Sequence, residues 1–153
     1  MPVICTEQYV RGLGHTAPAV REALPPGAHI VEKTRFSALV EGVKSALRPH
    51  NRPTVLVCGV EAHVCVLQSV LGLLREGYEV FLLEDVLFSS EPHTGPAVRR
   101  MERAGAIPST VKTLNYELRL SVAAPRAEQR FPELMPSLVL PEPEALPDWK
   151  PSR

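Results

Sequence analysis

The sequence predicts an α/β fold with a parallel sheet, on three observations. Short, apolar, β-branched runs recur through the first 120 residues. Stretches of helical period, about 10 to 15 residues long, separate them, which is the pattern of βαβ units joined by right-handed crossovers. The strongest run, Thr54-Val55-Leu56-Val57-Cys58, is apolar without alternation, as a parallel strand covered on both faces should be.

The first strand is expected in Pro2-Val3-Ile4-Cys5-Thr6, after which Gly12, Gly14 and Pro18 break the pattern. A short helical stretch, Ala19 to Leu24, stops at Pro25-Pro26-Gly27, and His29-Ile30-Val31-Glu32 reads as the second strand. Phe36, Leu39, Val40, Val43 and Leu47 lie at helical spacing, so Phe36 to Leu47 is predicted as a helix closed by Pro49. After the strand at 54–58, a helix over about Cys65 to Glu76 places Leu67, Val70, Leu71 and Leu74 on one face and ends at Gly77. Glu79 to Leu83 is a buried-type strand, Gly95 to Ala104 a helix, Ser109 to Leu114 a last strand, and Asn115 to Val122 a short capped helix. These elements make residues 1–124 the folded domain. Residues 125–139 are expected to dock against it and 140–153 to form an exposed tail, because seven of the sixteen prolines fall in the 29 residues from Pro125 on.

Composition excludes several function classes. The 153 residues carry 17 basic and 17 acidic side chains, so no basic excess exists to displace phosphate counterions, and nucleic acid is not expected as a partner. No apolar run approaches the roughly 18 residues a membrane helix needs, and Met1-Pro2-Val3-Ile4-Cys5 lacks the charged start of a signal peptide. Three cysteines suit a reducing compartment, and the cytoplasm is the expected location. Only Asp85 and Asp148 are aspartates, so no Asp precedes position 85.

Ligand sites of open α/β sheets lie at the carboxyl ends of the strands. Cys58-Gly59-Val60-Glu61-Ala62-His63-Val64-Cys65 follows the strongest strand, and a thiol in the first turn of the next helix meets unpaired N–H groups and the positive end of the dipole. Cys65 is therefore the candidate nucleophile. Lys33, after the second strand, is a cation at the same end of the sheet that could hold a thiolate or an anionic intermediate. Each also has a plain reading, as a small buried hydrophobe and as a solvated lysine. Cys5 and Cys58, inside apolar strands, read as packing residues.

Several segments, in order, resemble the isochorismatase-like cysteine hydrolase family, and within it the isochorismatase domain-containing protein 2 branch. They are Thr6-Glu7-Gln8-Tyr9 with Gly12-Leu13-Gly14; Glu32-Lys33-Thr34-x-Phe36-Ser37; the Cys58 to Cys65 segment; Glu84-Asp85-x-x-x-Ser89-Ser90; and Arg100-Met101-x-x-x-Gly105-Ala106. The match covers about residues 2 to 135. The resemblance implies a Rossmann-like parallel sheet of order 3-2-1-4-5-6 flanked by helices, and a Cys-Lys-Asp triad that hydrolyses amides, ureido compounds or a vinyl ether. It implies Cys65 as nucleophile, Lys33 as triad lysine, a cis peptide at Val60-Glu61, and an oxyanion hole from the backbone N–H groups of Val64 and Cys65. It further implies a small-molecule substrate, no cofactor, and homo-oligomeric assembly.

Two departures qualify this. Metal-using members carry an Asp and His cluster where this chain has Thr6-Glu7-Gln8-Tyr9, so no metal is expected, and His15 and His63 are assigned to the surface or to supporting positions. The family's triad Asp ends a central strand, followed by a first helix, ahead of the segment matched by Pro2 to Tyr9. That strand and helix are expected to be lacking here, with Asp85 on another strand, and catalysis to be impaired or lost. The strands at 2–6 and 54–58 are then expected to present unpaired backbone, leaving the chain marginal or dependent on a partner strand. A non-catalytic interaction protein is the alternative. A weaker one is a dinucleotide fingerprint in Gly12-x-Gly14-x-x-Ala17 with Glu32, since Gln8, Tyr9 and Arg11 separate strand from glycine and Pro18 closes off a long helix. Glu61 as a substitute base is a further minor reading.

Overall fold

Five parallel strands, divided between two sheets, organise the chain in a computed structural model that describes residues 1–118. The expected docking segment at 125–139, the tail at 140–153 and residues 119–124 lie outside the described residues. Pro2–Leu114 forms one compact unit; of the other, which comprises Met1 and Asn115 onward, only Met1 and the end of the last helix are described.

In the first sheet, β1 (Ile4–Gln8) pairs with β2 (His29–Lys33) from Ile4 opposite His29 to Gln8 opposite Lys33. Between them run α1 (Val10–Leu13) and α2 (Pro18–Ala23), the latter with Pro18 in its first turn, where a missing N–H costs nothing. Gly12 lies within α1 and Gly14, at φ 80°, ends it, so these glycines close a four-residue helix. A dinucleotide fingerprint needs them to open a long one.

In the second sheet, β3 (Thr54–Gly59), β4 (Glu79–Leu87) and β5 (Ile107–Ser109) pair in that order, all parallel. The connecting helices are α3 (Glu41–Leu47), α4 (Leu67–Arg75) and α5 (Gly95–Arg103), with α6 (Val111–Glu117) last. The core lies between β4 and the helices on it: Val66, Val70 and Leu73 meet Val80, Leu82, Met101 and Ala106. Of the expected stripe in α4, Val70 is buried and Leu67 and Leu74 pack only partly against the core, while the face turned inward is that of Val66, Ser69, Val70 and Leu73.

Several boundaries differ from expectation: β1 lies two residues later than the run at 2–6, and β4 extends to Leu87 rather than Leu83. The helix expected from Phe36 starts at Glu41, because Ala38 and Leu39 give their N–H groups to the hydroxyls of Ser69 and Ser37 instead of to helical carbonyls. The helix expected from Cys65 becomes a π-helical turn, Ala62–Val66, running into α4 at Leu67. The strand expected over Ser109 to Leu114 stops at Ser109, and α6 begins at Val111 rather than Asn115. Thr110 caps it, its Oγ1 accepting the Thr113 N–H at 3.0 Å, and both Asp85 carboxylate oxygens accept the Val111 N–H at 3.0 and 3.1 Å. Thr110-Val111 has β-branched composition, but these acceptors stabilise a helix start.

No backbone pairing joins β1 to β3 among the described residues. Cys5 of β1 lies near enough to Cys58 of β3 to act on its thiol electrostatically, so the two open edges are neighbours without being partners. Cys58 is exposed by area and does not pack as expected, while Cys5 is half-buried with Thr16 Oγ1 3.6 Å away.

Candidate active site

The turn after β3 places Cys65. Gly59 leaves the strand at φ 116°, a conformation that side-chain-bearing residues rarely adopt, and the Val60–Glu61 peptide is cis. The next turn is wide: Val66 N–H reaches back five residues to Glu61 O at 3.1 Å. Such π-helical turns are frequent at functional sites. Cys65 sits in this turn, half-buried, just ahead of α4. The Val64 N–H donates to Glu61 O at 3.1 Å.

Lys33 ends β2 at 7% exposure, and its ammonium is fully engaged. Nζ donates to Gln8 Oε1 at 2.5 Å and to the carbonyls of Arg35 and Phe36, each at 3.0 Å. An ammonium has three protons, so these bonds use every donor. Gln8 is itself aimed, its Nε2 donating to Thr34 O at 2.9 Å, and the Tyr9 N–H holds Lys33 O at 2.7 Å. All three acceptors are neutral, so no carboxylate cancels the charge. Burial pushes the Lys33 amine below its ordinary value, and the Cys65 sulfur, close enough to interact by charge, pulls it back up. The structure thus brings Lys33, at the end of β2, and Cys65, in the turn after β3, within electrostatic reach although β2 and β3 belong to different sheets.

Glu61 anchors the turn that carries Cys65 to the loop after β4. Its Oε2 accepts the Ser90 N–H at 2.7 Å, the Ser90 hydroxyl at 3.0 Å and the Ser89 hydroxyl at 3.1 Å, and Ser89 also meets His63 Nδ1. The Ser90 N–H is the main cause, against a smaller effect of burial, that the Glu61 carboxyl lies below the usual carboxylate range. A carboxylate so engaged is a poor proton acceptor, which disfavours it as a substitute base. Asp85, bound to the start of α6, is likewise engaged elsewhere.

Glu7, His15 and Glu32 place one ligand atom each within 4.8 Å of one another, a set that could hold a cation. The buried Glu7 is already committed: Oε2 takes His15 Nδ1 and Oε1 takes the Thr16 N–H, both at 2.8 Å. The His15 bond, then Thr16, hold its carboxyl at about 2 against an ordinary 4.5. A depressed carboxyl stabilises the fold above its unfolded value and loses that contribution as pH falls toward the folded one. Exchange of the Thr16 amide is therefore expected to accelerate as pH drops from about 4.5 to about 2, relative to its intrinsic rate, and to stay nearly flat over that window in Glu7→Gln. An equal acceleration in both would assign the effect to other carboxylates.

A cavity of about 480 Å³ lined by Arg48, Arg52, Pro53 and Tyr78 lies at the amino ends of β3 and β4, away from this site. Sequence reasoning missed Ser69, which is 5% exposed and donates to Cys65 O at 2.6 Å. Its signal was a hydroxyl four residues after the cysteine on the apolar face of α4.

Residues 1–113 match the family model described as the isochorismatase domain. Isochorismatase family protein 1A of Dictyostelium discoideum is 36% identical over 123 residues, 77% of this chain and 60% of that protein. Isochorismatase domain-containing protein 2 of Pongo abelii is 37% identical over 149 residues, 95% of this chain and 68% of that protein. Among solved structures, one described as the MAR1 ribonuclease of Caenorhabditis elegans superposes with a TM-score of 0.79 at 33% identity, over 98% of this chain and 77% of that one. The YcaC gene product of Escherichia coli, described as an octameric hydrolase of unknown specificity, gives 0.73 at 25% identity, over 79% of this chain and 61% of that one. The chain spans about 60% of the length of the Dictyostelium and Phytophthora relatives it matches.

Proposed function

Because the chain belongs to the isochorismatase domain family and is an isochorismatase-like hydrolase domain, we propose that it carries the nucleophilic half of a cysteine hydrolase acting on a small amide, ureido compound or vinyl ether. For an amide, the Cys65 thiolate attacks the carbonyl carbon, and the new S–C bond pushes the oxygen to an oxyanion held by the N–H groups of Val64 and Cys65. Collapse breaks the C–N bond, and the departing amine takes a proton from a general acid. Water then cleaves the thioester, releasing the acid and restoring the thiol. Lys33 favours the anionic states of this cycle through its field, since its three protons are already donated within the chain.

The observation that carries the reading is the buried, neutrally held Lys33 ammonium within electrostatic reach of Cys65. The cycle also needs a proton-transferring carboxylate, and among the described residues Glu61 and Asp85 are already engaged in other hydrogen bonds. General acid–base assistance is worth a factor of about 10² to 10⁴, so this chain alone is impaired on this reading, and rapid turnover by it would overturn that part. With 17 basic and 17 acidic side chains, charge favours a small molecule over the RNA suggested by the name of the Caenorhabditis protein. The octameric Escherichia coli relative supports homo-oligomeric assembly.

The test does not depend on turnover. Iodoacetamide at neutral pH is expected to label Cys65 before Cys5 or Cys58, followed by peptide mass spectrometry. Cys58 is exposed by area, yet desolvation, and secondarily Cys5, push its thiol up and slow it. Equal labelling of the three thiols overturns the assignment of Cys65.

A further inference from the structure

We infer that Ser69 is a positioning residue that sets the spacing between the Lys33 ammonium and the Cys65 sulfur; the inference rests on reading those two as the reacting pair. One buried hydroxyl touches both segments. Ser69 Oγ donates to Cys65 O at 2.6 Å and accepts the Ala38 N–H at 2.7 Å, with 5% of the residue exposed. The first bond is an i to i−4 contact that fixes the nucleophile turn on α4. The second fixes the end of the loop that carries Arg35 and Phe36, whose carbonyls hold Lys33 Nζ at 3.0 Å.

A second contact one turn along α4 reinforces the first. A Cβ on Gly72 would lie 2.6 Å from Leu39 Cδ1, so the glycine lets Leu39 approach the helix beside Ala38. Ser69 and Gly72, three residues apart, share one face and grip consecutive residues of the lysine loop. This grip matters because no ladder of backbone hydrogen bonds joins the sheet of Lys33 to the sheet of Cys65 among the described residues. Further along, the Lys44–Glu76 ion pair joins α3 to the end of α4, but it is exposed, and exposed pairs hold geometry weakly.

A double-mutant cycle tests this. In the full chain, Ser69→Ala is expected to slow iodoacetamide labelling of Cys65 about three- to tenfold, and to change it by less than about twofold when Lys33 is already Met. Ser69→Thr, which keeps the hydroxyl, is expected to stay within about twofold of the native rate, and Cys5 labelling is expected not to move. Gly72→Ala, which crowds Leu39 while leaving Ser69 intact, is expected to slow Cys65 in the same Lys33-dependent way, and keeps the test open if Ser69→Ala fails to fold. A native rate in Ser69→Ala alongside a slow Lys33→Met overturns the role of Ser69 and leaves the pair standing. Equal slowing with and without Lys33 makes Ser69 a packing residue. No effect of Lys33→Met removes the pair, and with it the role given to Ser69.

Discussion

Replacing Lys33 with Met is expected to slow alkylation of Cys65 about tenfold at neutral pH while leaving Cys5 and Cys58 unchanged. Alkylation requires an anionic sulfur, and removing the nearby cation withdraws its attraction for that charge. Met keeps the stem of Lys33 in its buried position, so packing changes little. Gln8 Oε1 and the carbonyls of Arg35 and Phe36 lose their donor, which makes local loosening the competing explanation. Ammonium chloride or methylammonium added to Lys33→Met separates the two: a small cation entering the vacated place is expected to restore part of the Cys65 rate. Unchanged labelling in Lys33→Met would show that the lysine's charge does not reach the thiol.

The largest stability effect is expected at Leu82. It is fully buried on β4 and belongs to the cluster with Val66, Val70, Val80 and Met101. Leu82→Ala removes transfer free energy and leaves a cavity, a change that costs about 2 to 5 kcal/mol in well-packed cores. Val86, on the same strand but 44% exposed, is the control, and Val86→Ala is expected to stay within about 0.5 kcal/mol. Urea unfolding with matched slopes measures both. Equal, small losses at the two positions would mean that the core around β4 is not packed as described.

Much of the fold was legible because its signals are local. The unalternated run at Thr54 to Cys58 and the helical spacing of Leu67, Val70, Leu71 and Leu74 mark the elements, and β3 and α4 stand where those patterns place them, although β3 is only half-buried and α4 turns Val66, Val70 and Leu73 inward. The last strand was misplaced for the opposite reason. Thr110-Val111 reads as strand by composition, and the acceptor that starts α6 there, Asp85, lies 26 residues away. Likewise Phe36 to Val40 has helical spacing, but its amide at Ala38 is taken by Ser69, 31 residues on.

At the site the division is similar. Cys65 and Lys33 could be singled out because strand ends of a parallel sheet face one side, a consequence of chain direction alone. By itself, then, the sequence determined the α/β class, the order of strands and helices, and which residues stand at the strand ends. The absence of pairing between β1 and β3 was also expected from the sequence, whereas the tertiary structure alone decided that Lys33 gives its three protons to neutral acceptors, that Asp85 and Glu61 serve as hydrogen-bond anchors, and that Ser69 ties the lysine loop to the Cys65 turn. Periodicity records how far each residue is buried. A hydrogen bond between groups 25 or 31 residues apart depends on where the intervening chain closes, which no local pattern carries.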